Sequence, residues 1–240
     1  MPIEILDTNY TRYIRLLGTA HFTKRSVQEA SEAVKMTGTR DLAIELDSQR
    51  FNILNRLCIE CPEKLSCPKR CEFVAASDAL GNVDANIWLI DMSEAEIVKR
   101  IERASRKDGT PIAYISEEAC GEDLPWLWER GYKEEVLRRL GRRLGTLSPA
   151  RSPIWRILIE ERDALMAARL TDIASQKLEG KEGLNILALI GAAHVEGVYE
   201  HLKRPWQIPT ILRRHSLPYS PPTLVRRIHV NYMSRSAKNF

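Results

Sequence analysis

The chain has 240 residues, 44% of them hydrophobic and 28% charged, with a formal net charge of +4; this is the profile of a soluble globular protein with room for one sizeable core. No segment approaches the roughly 20 apolar residues that cross a bilayer. The opening MPIEILDTNY has neither the basic start nor the apolar run of a signal peptide, so a cytoplasmic protein without a membrane segment is expected.

In chain order, YIRLLGTA (13–20) reads as a buried strand, and the helix after it places Val27, Ala30 and Val34 on one face and stops at Gly38. LAIEL (42–46) is a second strand, followed by a helix with Ser48 as its cap and Phe51 and Leu54 on its apolar face. NIWLID (86–91) is a third, before a helix whose start carries the capping box Ser93 and Glu96. Between 110 and 180 helices take over: a segment with interruptions at Gly131 and Gly141, then a long helix capped by Ser152 with Pro153 at its first position. NILALIGA (185–192) is the last main strand. Strands alternating with helices predict an α/β fold, a mainly parallel or mixed sheet covered by helices, with a helical insertion before its last main strand.

Two strands run into Gly-x-x-His, as LLGTAH (16–21) and ALIGAAH (188–194). Sites in such sheets form beyond the carboxyl ends of the strands, which is where His21 and His194 fall. Glu45 has the same position on the second strand, and a carboxylate inside an apolar run is costly unless it is paired or metal-bound. Neutral imidazoles with a carboxylate suit zinc, manganese, cobalt or iron. On the long helix Ile154, Leu158, Leu165 and Ile173 mark an apolar stripe. Arg162 interrupts it, flanked by Glu161 and Asp163, and Arg169 shares it. A guanidinium on a buried face needs a carboxylate or an anionic ligand, unless its head snorkels out. Arg50 could reach the same cleft.

The wording of LLGTAHFTKRS with AIELDSQR, of IEERDALMAARL and of LALIGAAHVEGV, in that order over most of residues 14–200, resembles the TraB/PrgY family, which is related to the Tiki metalloproteases. The resemblance implies a divalent-metal-dependent, peptidase-like protein. His21, Glu45 and His194 would form the metal and catalytic centre, binding manganese, cobalt or zinc. Arg50 and Arg162 would support it as substrate-binding residues, Arg162 also in catalysis. The substrate would be a peptide or another small molecule. Members of the family that act by binding or sequestration make a non-catalytic module for a peptide or an anionic ligand the alternative. Residues 1–200 would be the TraB-like domain, and 201–240 a basic segment packed on it.

That last segment carries eight Lys/Arg and no Asp or Glu. It could attract phosphates or acidic partners, or simply be solvated; nothing alternates bases and aromatics densely enough for nucleic acid. Cys58, Cys61, Cys67 and Cys71 lie within 14 residues and can wrap an iron–sulfur cluster or a zinc ion, or form disulfides or remain thiols. Cys120 reads as an ordinary cysteine. Trp126 and Trp128 could pack in the core, line a groove or form a homo-oligomer contact.

Overall fold

The computed structural model describes residues 6–7, 13–21, 23–60, 71–81, 84–108, 123–145, 153–179 and 185–226. Among these, six strands form one mixed sheet: β1 (Leu6–Asp7), β2 (Ile14–Thr19), β3 (Asp41–Ile44), β4 (Asn86–Leu89), β5 (Ile186–Gly191) and β6 (Thr223–Val225), in the order β1-β2-β5-β3-β4-β6. The four central strands are parallel and the two edges antiparallel. The fold is α/β. Every residue of β3 and of β5 is buried, as expected of central parallel strands covered on both faces, which is why they read as continuous apolar runs.

Alternate residues feed two cores. Leu17, Leu42, Ile44, Leu187 and Leu189 pack with Ala30, Val34 and Val74 beneath α1 (Lys24–Thr37) and α3 (Glu72–Ala79). Leu16, Ala43, Ala188 and Ile190 pack on the other face beneath α8 (Glu161–Glu179), α9 (Val195–Lys203) and α10 (Ile208–Arg214). Residues 201–226 belong to this same body: Leu202, Ile208, Leu212 and Leu217 enter the second core, and β6 pairs with β4.

Several local expectations are refined. α1 is capped by Thr23, whose hydroxyl accepts from the Ser26 N–H, and ends at Gly38 with φ +59°, the left-handed conformation glycine adopts most readily. In α2 (Ser48–Glu60) the cap is Asp47, not Ser48: the Asp47 carboxylate accepts from the N–H of Gln49 and Arg50 at 2.7 and 3.2 Å. Ser93 does cap α4 (Glu94–Asp108), accepting from the Glu96 N–H at 3.3 Å, while the Glu96 carboxylate accepts from Arg100. Gly131, φ +86°, separates α5 (Asp123–Glu129) from α6 (Lys133–Gly145), but α6 continues through Gly141.

The long helix is not regular. α7 (Pro153–Trp155) passes through a π-helical turn, Arg156–Glu160, into α8, where the Glu161 N–H donates back to the Arg156 carbonyl. The wider turn shifts the helical phase. Ile154, Leu165 and Ile173 are buried as the stripe requires, but Ile157 is buried in place of the half-buried Leu158, and Glu161, Arg162 and Asp163 all turn inward. Such turns are frequent at functional sites. No helix among the described residues is long and apolar enough to cross a membrane.

Candidate functional site

β2 and β5 are neighbours, with Thr19 opposite Gly191, so both Gly-x-x-His turns leave the sheet side by side. The close approach explains Gly18: a Cβ there would stand 2.8 Å from Val195 Cγ2 and 3.1 Å from the Ala192 backbone. β3 lies on the other side of β5, and Glu45 follows its last residue. β3 is central, so Glu45 is not a solvent-facing group on an edge strand; it is 5% exposed.

The three side chains meet around Gly191. A Cβ at that position would lie 3.2 Å from Glu45 Oε2, 3.5 Å from His21 Nε2 and 3.5 Å from His194 Cδ2. Each imidazole is held from behind by a buried carboxylate. His21 Nδ1 is 2.5 Å from Glu72 Oε1, which also accepts from Thr19 Oγ1 at 3.2 Å. His194 Nδ1 is 2.6 Å from Asp163 Oδ1. An ionised carboxylate can only accept, so both protons sit on Nδ1; His194 Nε2 is 3.4 Å from Glu45 Oε1, while His21 Nε2 lies beside Gly191, which Glu45 Oε2 also approaches.

Glu45 is itself anchored. Oε1 accepts from Arg162 Nη2 and Oε2 from the Gly191 N–H. Arg162 grips Asp91 through Nε at 2.9 Å and Nη2 at 2.7 Å, and its Nη1 donates to the Leu158 carbonyl at 3.0 Å within the π turn. Arg50 holds the same Asp91 oxygen through Nη2 at 2.6 Å, and Asp47 through Nε at 2.5 Å. Arg169, from further along α8, donates to the Asp91 carbonyl and to Ser220. Arg162 and Arg50 thus lock the carboxylates in place, and Arg169 the backbone of Asp91, rather than snorkelling to solvent. Asp91 is the node of the lattice.

The titration behaviour follows. Burial alone would push the Asp91 carboxyl up, but the Arg162 and Arg50 guanidiniums hold it well below the usual carboxylate range. At Asp163 burial prevails over the His194 hydrogen bond, and its pKa is pushed up to about 6. Burial lowers the His21 imidazole, yet the hydrogen bond and charge of Glu72 more than offset this and raise it.

Among the described residues, no group of three or more His, Cys, Asp or Glu side chains is arranged so that it could hold a metal ion. The donor types, two imidazoles and a carboxylate, are nonetheless those that divalent cations take. Each imidazole has the carboxylate partner that metal-binding histidines have, and the carboxylates of Glu45, Asp47, Glu72, Asp91 and Asp163 outnumber the guanidiniums of Arg50, Arg162 and Arg169.

No protein-family model matches the chain. It is similar to an uncharacterised protein of Methanocaldococcus jannaschii, with 23% identity over 220 residues, covering 80% of this chain and 53% of that protein. The chain spans about half the length of this curated relative.

The structure thus brings His21, Glu45, His194, Arg50 and Arg162 into one lattice. Of the four cysteines, Cys71 is buried at the start of α3; the Cys58 side chain, Cys61 and Cys67 lie outside the described residues, as does Cys120. The tryptophans divide. Trp128 is core, 1% exposed, donating to Ser26 Oγ at 2.8 Å and packing near Ala20 and Ala192 beside the two turns. Trp126 is 52% exposed beneath the Arg130 guanidinium. Sequence reasoning missed Asp91, Glu72, Asp163 and Asp47 as site residues. Asp91 had a signal, since it ends NIWLID much as Glu45 ends the apolar run of LAIEL. Glu72 had none.

Proposed function

We propose that the chain is a metal-dependent hydrolase of peptidase type centred on His21, Glu45 and His194. The observation that carries this reading is the pair of imidazoles, each held through Nδ1 by a buried carboxylate, with Glu45 beside them around Gly191. A manganese, cobalt or zinc ion would be held by His21, His194 and Glu45, and when bound would polarise a carbonyl and acidify a water molecule. Glu45 is the candidate proton acceptor. Arg162 and the Gly191 N–H orient its carboxylate, and Asp91 fixes Arg162 in turn. Arg50, whose Nη1 makes none of these contacts, is the candidate substrate-binding group. The wording shared with the TraB/PrgY family agrees with this reading, as do a peptide or other small substrate and a cytoplasmic setting. The four-cysteine segment would hold a separate zinc ion or iron–sulfur cluster.

The test is metal analysis of the wild type beside His21→Ala/His194→Ala after reconstitution, followed by peptide turnover. A divalent metal lost only in the double variant, with turnover abolished in Glu45→Gln, is the expected result. Equal metal content in both proteins would remove the reading. One observation favours binding without catalysis: both Glu45 oxygens already accept hydrogen bonds. Saturable peptide binding with no turnover in the metal-loaded wild type would select that alternative.

A further inference from the structure

A second cleft, of about 370 Å³, opens between α4, the π turn and the end of α10. Arg100 and Arg103 reach it from α4, Arg156 from the π turn and Arg214 from the end of α10, over an apolar wall that includes Ile157. One carboxylate lines it, Glu161, only 2% exposed. That carboxylate is already engaged: Arg100 Nη1 donates to it at 3.0 Å and Arg156 Nε at 3.2 Å. Arg100 is further tied to Glu96 and to the carbonyls of His215 and Ser216, so it frames the cleft. The Arg103 and Arg214 side chains have no hydrogen bond or ion pair among the described residues, and Arg156 uses only its Nε–H.

Arginines from three separate elements therefore line a concave surface whose one carboxylate, among the described residues, is already paired. Like charges gathered in a cleft repel one another and concentrate anions. Guanidinium forks match phosphoryl oxygens in bidentate fashion, and the volume is that of a small-molecule site. Among the described residues no Phe, Tyr or Trp lines it, so recognition there rests on phosphoryl charge and not on stacking a base. Arg214 belongs to the basic C-terminal stretch, which gives that stretch a specific task.

We propose that this cleft binds a small phosphorylated ligand, its phosphoryl oxygens held by Arg103, Arg156 and Arg214. The site is independent of the hydrolase reading, because none of His21, Glu45 or His194 lines it. It lies at the other side of the same helix start: Glu161 lines the cleft, paired to Arg100 and Arg156, and the next residue, Arg162, holds Glu45.

The experiment is titration calorimetry of the full chain with pyrophosphate, in a chelating buffer at constant ionic strength, with inorganic phosphate, citrate and a short DNA duplex as the other arms. Saturable pyrophosphate binding is expected. It should weaken roughly tenfold or more in Arg103→Ala/Arg214→Ala, as charge-assisted contacts are lost, and stay unchanged in Arg213→Ala, with all three proteins giving the same circular dichroism. Should the double variant fail to fold, Arg103→Lys and Arg214→Lys replace it, each keeping the charge and losing the fork. Absence of saturable pyrophosphate binding overturns the proposal. So does equal weakening in Arg213→Ala, citrate binding as tight as pyrophosphate, binding of the duplex alone, or full affinity in both lysine variants.

Discussion

His21 and His194 follow equivalent ends of two neighbouring strands, yet their surroundings differ. The His194 side chain is 5% exposed and its partner Asp163 equally buried. The His21 side chain is 42% exposed and only its partner Glu72 is fully buried. His194 is seated between α8 and α9, where Asp163 packs so closely that only glycine fits at 197. His21 rests on a short turn held by Ser26, which accepts from the Ala20 N–H at 2.9 Å, and by the Glu129 carboxylate on the start of α1. The same Nδ1-to-carboxylate device is used twice. One copy is buried in the core, and the other stands at the rim, open to solvent.

Breaking what both halves share should have the largest effect. Asp91→Asn removes the charge facing Arg50 and Arg162, and loss of one partner of a buried ion pair costs about 3–5 kcal/mol. A urea midpoint at neutral pH reads this loss. The Asp91 contribution also has a definite pH dependence, because its folded pKa lies below the unfolded value of 3.8. It is fully present above that value and disappears as pH falls through the depressed folded one. The wild type should therefore lose its advantage over Asp91→Asn below about pH 4, and an advantage unchanged at about pH 2 would contradict the assignment.

The two histidine supports should differ next. Asp163→Asn leaves His194 with a poorer partner in a dry setting and is expected to cost about 2 kcal/mol. Glu72→Gln is expected to cost less than about 1 kcal/mol, since the half-exposed His21 can turn to water. On the metal-centre proposal, both variants should also lower metal affinity by about 10–100-fold. Equal stability losses in thermal melts would show that burial does not distinguish the two halves.

The smallest change sharpens the comparison on the buried side alone. A Cβ at Gly197 would sit 2.0 Å from Asp163 Oδ2. Gly197→Ala should therefore displace that carboxylate and with it His194, outweighing the roughly 1 kcal/mol that alanine ordinarily adds to a helix. Proton NMR of the imidazoles should show the His194 resonance moved and that of His21 in place.

Much of this was legible in the chain itself. The apolar runs specify buried parallel strands, because strands covered on both faces cannot alternate. The Gly-x-x-His turns and Glu45 could be placed at strand ends by their position in those runs. Arg162 announced itself as a charge on an apolar stripe.

What the sequence could not determine is which distant groups would answer those charges. Asp91, Glu72 and Asp163 come from three separate helices or loops. Their pairing depends on β5 inserting between β2 and β3, a matter of strand order that local periodicity does not encode. The π turn is the other case. A helix read at constant period puts Leu158 inside, whereas the folded chain buries Ile157 and turns Glu161, Arg162 and Asp163 towards two different sites. Local propensity decided that there would be a helix; the buried ion pairs it had to satisfy decided its phase.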